Sequence, residues 1–159
     1  YKMAQAIRHI VNRFREYNKD PIDGFFCEPT EDPFKWSFTL LGMHNTPFEG
    51  EILYGNILFP QNFPNEPPTI QFTSHIYHPN VYKDGKVCMS ILHDSRTENF
   101  YDRPEEKWLP VHTIQSIVLS MMLIIQEPNN ESPANLDAAK LLRENKKEYI
   151  RTLRKTLKN

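Results

Sequence analysis

Apolar positions near the start of the chain recur every three or four residues, at Met3, Ile7, Ile10, Val11, Phe14 and Tyr17, with Arg8, Arg13, Arg15 and Lys19 mostly on the other side. That period predicts an amphipathic helix over 3–18. Asp20-Pro21 ends it, because proline disfavours helical geometry in the residue before it. The period then changes to two. Residues Phe34 to Leu41 alternate apolar and polar for most of their length, as a half-buried strand does. Shorter runs at 24–30, 51–59 and 69–73 also read as strands. The loops at 42–50 and 60–68 carry Gly, Asn and Pro. Connections this short argue for an antiparallel meander, since parallel strands need long crossovers. Thr113 is a suitable N-cap for a helix running to 126 through Ile114, Ile117, Val118, Met121, Met122 and Ile125. This helix is apolar nearly all round, which places it at the centre of the fold. Residues 127–135 break it, and two more helices follow over 134–143 and 144–158. The class is α+β: an N-terminal helix, a four-stranded antiparallel meander, a central helix and two C-terminal helices.

The 159 residues suit one domain, 1–159, with a real core. A net charge of −1 implies no general attraction to nucleic acid or membrane. The basic residues from Lys146 to Lys158 read first as a solvated helix face and only second as a docking surface. The longest apolar run, Ile117 to Ile125, is too short to span a bilayer, and no secretory signal is visible. Cys27 and Cys88 are the two cysteines. They could pair on paper, but two in a chain of this size do not suggest a secreted scaffold. His75 and His78 alone make a weak zinc site, so neither metal nor cofactor is expected. The expectation is a reduced protein of the cytosol or nucleus, with any recruitment to a membrane left to a partner.

Chemistry concentrates in residues 75–93. Pro79 cannot donate a ladder hydrogen bond, so His78-Pro79-Asn80 is irregular backbone. Cys88 comes eight residues after Asn80. Asp84-Gly85 between them is a strong turn former that would fold Cys88 back toward Asn80. A thiol beside a carboxamide could be a nucleophile with an oxyanion donor. Set among Val87, Met89, Ile91 and Leu92, it could equally be an ordinary core cysteine. Residues 94–107 are polar, mainly acidic and long for a loop in a compact domain. They are either a solvent loop or a lid beside the cysteine.

Four motifs in order resemble the catalytic domain of the ubiquitin-conjugating enzymes (the UBC fold). They are Phe59-Pro60 with Pro67-Pro68, His78-Pro79-Asn80, Cys88 in Val-Cys-Met-Ser-Ile-Leu-His, and Trp108-Leu-Pro with Glu127-Pro-Asn and Ser132-Pro-Ala-Asn135. The resemblance implies that Cys88 takes ubiquitin as a thioester from the activating enzyme, with ATP entering only at that earlier stage, and passes it to lysine amines. It gives Asn80 the oxyanion, with holding the active-site loop as the alternative, and makes Ser132 the gate beside the acceptor lysine. Tyr77, His78 and Pro79 become the structural part of the loop. Asn129 and Leu119 match contacts to the donor ubiquitin, core packing being the competing reading of Leu119. Arg8, Asn65, Trp108, Pro110 and Val111 match the surface that meets the activating enzyme and RING-type ligases. A cis bond is implied at one of the paired prolines. The acidic 94–107 segment is similar to that of a subgroup that builds polyubiquitin chains, often for degradation of protein substrates. Two rival readings are a ubiquitin-binding module without catalysis, which the presence of Cys88 opposes, and a carrier of a ubiquitin-like modifier.

Overall fold

Alternation along the second strand places Trp36, Phe38 and Leu40 on one face, where all three are buried. The structure, a computed structural model, describes residues 1–94, 107–131 and 133–158. Four antiparallel strands pair in chain order: β1 (Phe25–Pro29), β2 (Lys35–Leu41), β3 (Ile52–Leu58) and β4 (Thr69–Phe72). Their inner face joins Phe25, Phe38, Leu53, Ile57, Ile70 and Phe72 to the core. The outer face carries the row Phe26, Thr39 and Tyr54 in register. The meander and its strand positions match the reading of the sequence.

Helix α1 (Lys2–Lys19) lays Ala6, Ile10 and Tyr17 on the core. The Tyr17 hydroxyl donates to the Phe25 carbonyl at 3.0 Å and accepts from the Ile22 N–H at 3.1 Å, so the one polar atom of this buried ring is satisfied. Edge-on aromatic contacts run from Phe14 to Trp36 (5.4 Å), from Trp36 to Phe59 (4.7 Å) and from Phe59 to Phe63 (4.9 Å). The cis bond lies at Phe63–Pro64, ahead of the Pro67-Pro68 pair.

Helix α2 (Ile114–Gln126) starts where expected, with the Thr113 hydroxyl accepting from the Ser116 N–H at 3.1 Å. It buries Ile114, Ile117, Val118, Met121 and Ile125. It is not enclosed on every side: Leu119 and Leu123 are 55% and 59% exposed. Each forgoes much of the roughly 1.5–3 kcal/mol that full burial of such a side chain is worth. The central position read from its composition therefore holds for one face only, and core packing does not account for Leu119. Helices α3 (Leu136–Glu144) and α4 (Lys146–Leu157) follow, capped by the side chains of Asn135 and Asn145. Among the described residues, no helix is long and apolar enough to cross a membrane.

Candidate active site

The expected turn forms. Val81 and Val87 pair across it, Tyr82 N–H donates to Lys86 O at 2.9 Å, and Cys88 N–H donates to Asn80 O at 2.8 Å. Gly85 sits at the tip with φ +94°, and a Cβ there would lie 2.1 Å from the Phe72 carbonyl oxygen. Only glycine fits such a position. The turn is also fastened to β4, through Phe72 N–H to Gly85 O (2.8 Å) and Val87 N–H to Ile70 O (2.9 Å). Sheet geometry thus sets where the Cys88 backbone lies.

The segment before the turn is held by its own polar groups. His78 is fully buried, and its Nδ1 accepts from the Asn80 N–H at 2.9 Å. Burial pushes its imidazole down to about 4, against a weaker opposing pull from the Ile125 and Ile124 carbonyls. It is therefore neutral at pH 7, with Nδ1 occupied inside the loop. The Pro79 carbonyl accepts two bonds, from Ala134 N–H (2.8 Å) and Asn135 N–H (2.9 Å). Tyr77 stacks at a tilt on Tyr149, ring centres 5.8 Å apart, and its carbonyl receives a long bond of 3.5 Å from the Tyr149 hydroxyl.

The Asn80 side chain is buried and faces the backbone of Asn129. Its Nδ2 donates to Asn129 O at 2.8 Å, and its Oδ1 accepts from Asn129 N–H at 2.9 Å. Of the two roles open to it, this pairing displays the loop-holding one. A primary amide has two N–H donors, and the bond to Asn129 uses one.

Cys88 is half-buried, and its Sγ lies 3.7 Å from His93 Nε2. A single 3-10 turn, Ser90–Leu92, brings residue 93 back toward residue 88, closed by His93 N–H to Ser90 O at 2.9 Å. The Tyr82 phenol is also within interaction range of the thiol. The negative charge of an ionised Cys88 is the first cause of a raised Tyr82 pKa, with partial burial second. Neither His93 nor Tyr82 stood out in the sequence. Both contacts arise from irregular backbone, which leaves no periodic signal. The other thiol differs: Cys27 packs against the core from β1, and burial, then the neighbouring Glu28, push it up to about 12.

A groove of about 470 Å³ runs between the segment after Cys88 and α2, lined among others by Met89, Ser90, Leu123 and Asn129. Leu119 is exposed one helical turn before Leu123, so the two candidate donor contacts, Leu119 and Asn129, are accessible on this side. Arg8, Asn65, Pro110 and Val111 are also exposed. Arg13 donates to the Pro110 carbonyl at 2.7 Å and ties this surface to α1. Trp108 is a correction. It is 2% exposed and cannot be a docking contact. Its large ring packs near Phe63, and its indole N–H is satisfied by the Pro64 carbonyl at 2.9 Å, so it supports the surface from beneath. Ser132 and residues 95–106 of the acidic segment lie outside the described residues.

Residues 9–157 match a family model described as ubiquitin-conjugating enzyme. Over 149 residues the chain is 44% identical to ubiquitin-conjugating enzyme E2 13 of Arabidopsis thaliana, covering 92% of this chain and 90% of that protein. It is 41% identical over 155 residues to ubiquitin-conjugating enzyme E2-18 kDa of Schizosaccharomyces pombe, covering 96% and 93%. Against the human ubiquitin-conjugating enzyme E2 G2 the identity is 33% over 149 residues, covering 92% and 90%.

Proposed function

The chain belongs to the ubiquitin-conjugating enzyme family, transferases that work through a cysteine thioester, and on that premise we propose that Cys88 is the carrier. One observation supports this most. Of the two thiols, Cys88 is partly accessible beside an open groove with its backbone fixed by the turn, whereas Cys27 is packed against the core and held protonated.

The reaction then has two steps. In loading, Sγ attacks the thioester carbonyl presented by the activating enzyme; a new carbon–sulfur bond forms and the old one breaks. In transfer, a lysine amine attacks that carbonyl and Cys88 leaves. The groove between Met89 and α2 takes the extended C-terminal tail of ubiquitin, with Leu119 and Leu123 offering an apolar surface to its body. Asn80 holds the Asn129 wall of this groove, and we assign its second N–H to the negative charge that develops on the reacting carbonyl oxygen. We assign Ser132 the gate role beside the acceptor lysine from its place in the Ser-Pro-Ala-Asn motif. Arg8, Asn65, Pro110 and Val111 receive the activating enzyme and a RING-type ligase in turn. The acidic composition of 94–107 supports chain building on ubiquitin itself, and with it substrate degradation. A carrier thiol needs a reducing compartment, so we place the protein in the cytosol or nucleus.

The test is to incubate the protein with ubiquitin, activating enzyme and ATP, and to compare non-reducing with reducing gels. A thiol-sensitive adduct on wild type, absent from Cys88→Ala, is the expected result. An adduct that persists in Cys88→Ala refutes the assignment. A folded wild type that charges only with a ubiquitin-like modifier changes the cargo but keeps the chemistry.

A further inference from the structure

We infer that His93 is a second catalytic residue, whose imidazole takes the proton from the Cys88 thiol as the thioester forms. The inference rests on the carrier role of Cys88. It adds a base to a site in which the sequence pointed to none.

The contact is built rather than incidental. His93 is held by its main chain on both sides, through its N–H to Ser90 O at 2.9 Å and its carbonyl from Trp108 N–H at 3.0 Å. Trp108 is itself buried and bonded to Pro64. The main chain that carries the imidazole is thus tied to a buried tryptophan. Its Nε2 lies 3.7 Å from Sγ, a fitting separation for a thiol donor because sulfur is larger than oxygen. Two other histidines make contacts of their own away from Sγ. His78 is buried with Nδ1 occupied, and His112 bonds the Lys107 carbonyl and packs on Trp108.

The chemistry needs such a group. The thiolate is the nucleophile, and an unaided cysteine is only a few per cent thiolate at pH 7. With the ring proton on Nδ1, Nε2 accepts the Sγ proton as Sγ bonds to the thioester carbon. The bond from that carbon to the activating enzyme's sulfur breaks. The departing thiolate then takes the proton from Nε2, so no net proton is lost. In the second step the amine bonds to the carbonyl carbon and Cys88 departs as thiolate; Nε2, empty again after loading, takes the proton that the amine loses and passes it to Sγ.

The other ionisable groups around the pair, among the described residues, are Tyr82 and Asp84 in the turn, His112 and Glu127 along the groove, and Asp94 and Lys107 flanking the His93–Trp108 bond. Comparing variants at matched pH cancels their contribution.

The experiment measures iodoacetamide alkylation of Cys88, read by peptide mass between pH 6 and 9.5 without ubiquitin, for wild type, His93→Gln and His93→Asn. Neither variant can accept the proton. At pH 7 wild type should react about tenfold faster, with a ceiling of about 30-fold set by the small unaided thiolate fraction. The gap should close above about pH 9, where solvent deprotonates any free thiol unaided. Single-turnover loading from the activating enzyme should show the same pH-dependent loss. A ratio of one at every pH overturns the inference. So does a loss that is equal at every pH, which would mark packing. Should both variants fail to melt as folded proteins, the wild-type profile decides. A base gives a rise with imidazole titration below pH 7, whereas an unaided thiol rises near about 8.5. The two readings fail separately: loading of Cys88→Ala sinks the carrier role, while loading of His93→Gln that keeps a constant ratio to a normal wild type at every pH sinks only the role of His93.

Discussion

Replacing Asn80 by alanine separates its two roles. The carboxamide makes two reciprocal bonds to the Asn129 backbone, at 2.8 and 2.9 Å, and is 2% exposed. A neutral hydrogen bond contributes about 1 kcal/mol net. Asn129 is exposed, so water can reach its orphaned N–H and C=O, and no full desolvation penalty is added. The sum is about 2 kcal/mol, which for a chain of this size lowers the melting temperature by about 4–8 °C. Thermal unfolding followed by circular dichroism reads this directly. Asn80→Asp keeps the acceptor but sets a carboxylate against the Asn129 carbonyl, so it should melt no higher than the alanine variant. Asn129→Ala should leave the pairing intact, because Asn80 holds main-chain atoms there. If Asn80→Ala melts within about 1 °C of wild type, the tether carries no weight. A fall in lysine discharge without that loss of stability would then place the amide at the reacting carbonyl instead.

The buried imidazole of His78 makes stability depend on pH. Its folded value of about 4 lies below the ordinary 6.5, so the unfolded chain takes up a proton that the folded one refuses. Stability should fall as pH drops from about 6.5 toward 4 and level off below, by at most about 3 kcal/mol. Urea midpoints across that range test it, and an equally steep fall in His78→Gln would assign the effect elsewhere. Gly85→Ala puts a methyl group 2.1 Å from the Phe72 carbonyl at φ +94°; a loss of about 3 kcal/mol or more is expected, read as a lowered urea midpoint, and a near-wild-type midpoint would mean that the turn yields easily. Leu119→Ala, on an exposed position, should shift stability by no more than about 0.5 kcal/mol yet slow discharge of bound ubiquitin to free lysine. Unchanged discharge would remove Leu119 from the donor surface.

Where periodicity and packing agree, the chain was readable. The alternation of Phe34 to Leu41 became β2, the spacing of Ile7 to Tyr17 became α1, and Thr113 capped α2, because each local preference and the core ask for the same thing. Composition misled where it counted residues without direction. An apolar helix looked central, yet Leu119 and Leu123 point outward. Trp108 matched a docking position but is drawn inward by its size and satisfied by Pro64. Asp84-Gly85 announced the turn that brings Cys88 to Asn80. His93 and Tyr82 gave no warning, since short irregular stretches place them at the thiol.

The clamp around the thiol grips main chain, not side chain. Pro79 holds the N–H groups of Ala134 and Asn135, and Asn80 holds the N–H and C=O of Asn129. Almost any amino acid supplies those atoms; proline alone lacks the N–H. Side chains between 129 and 134 can therefore change with little effect on where the sulfur sits. That stretch is in this sense interchangeable lettering on a fixed frame, and its spelling can drift without rebuilding the turn that holds Cys88.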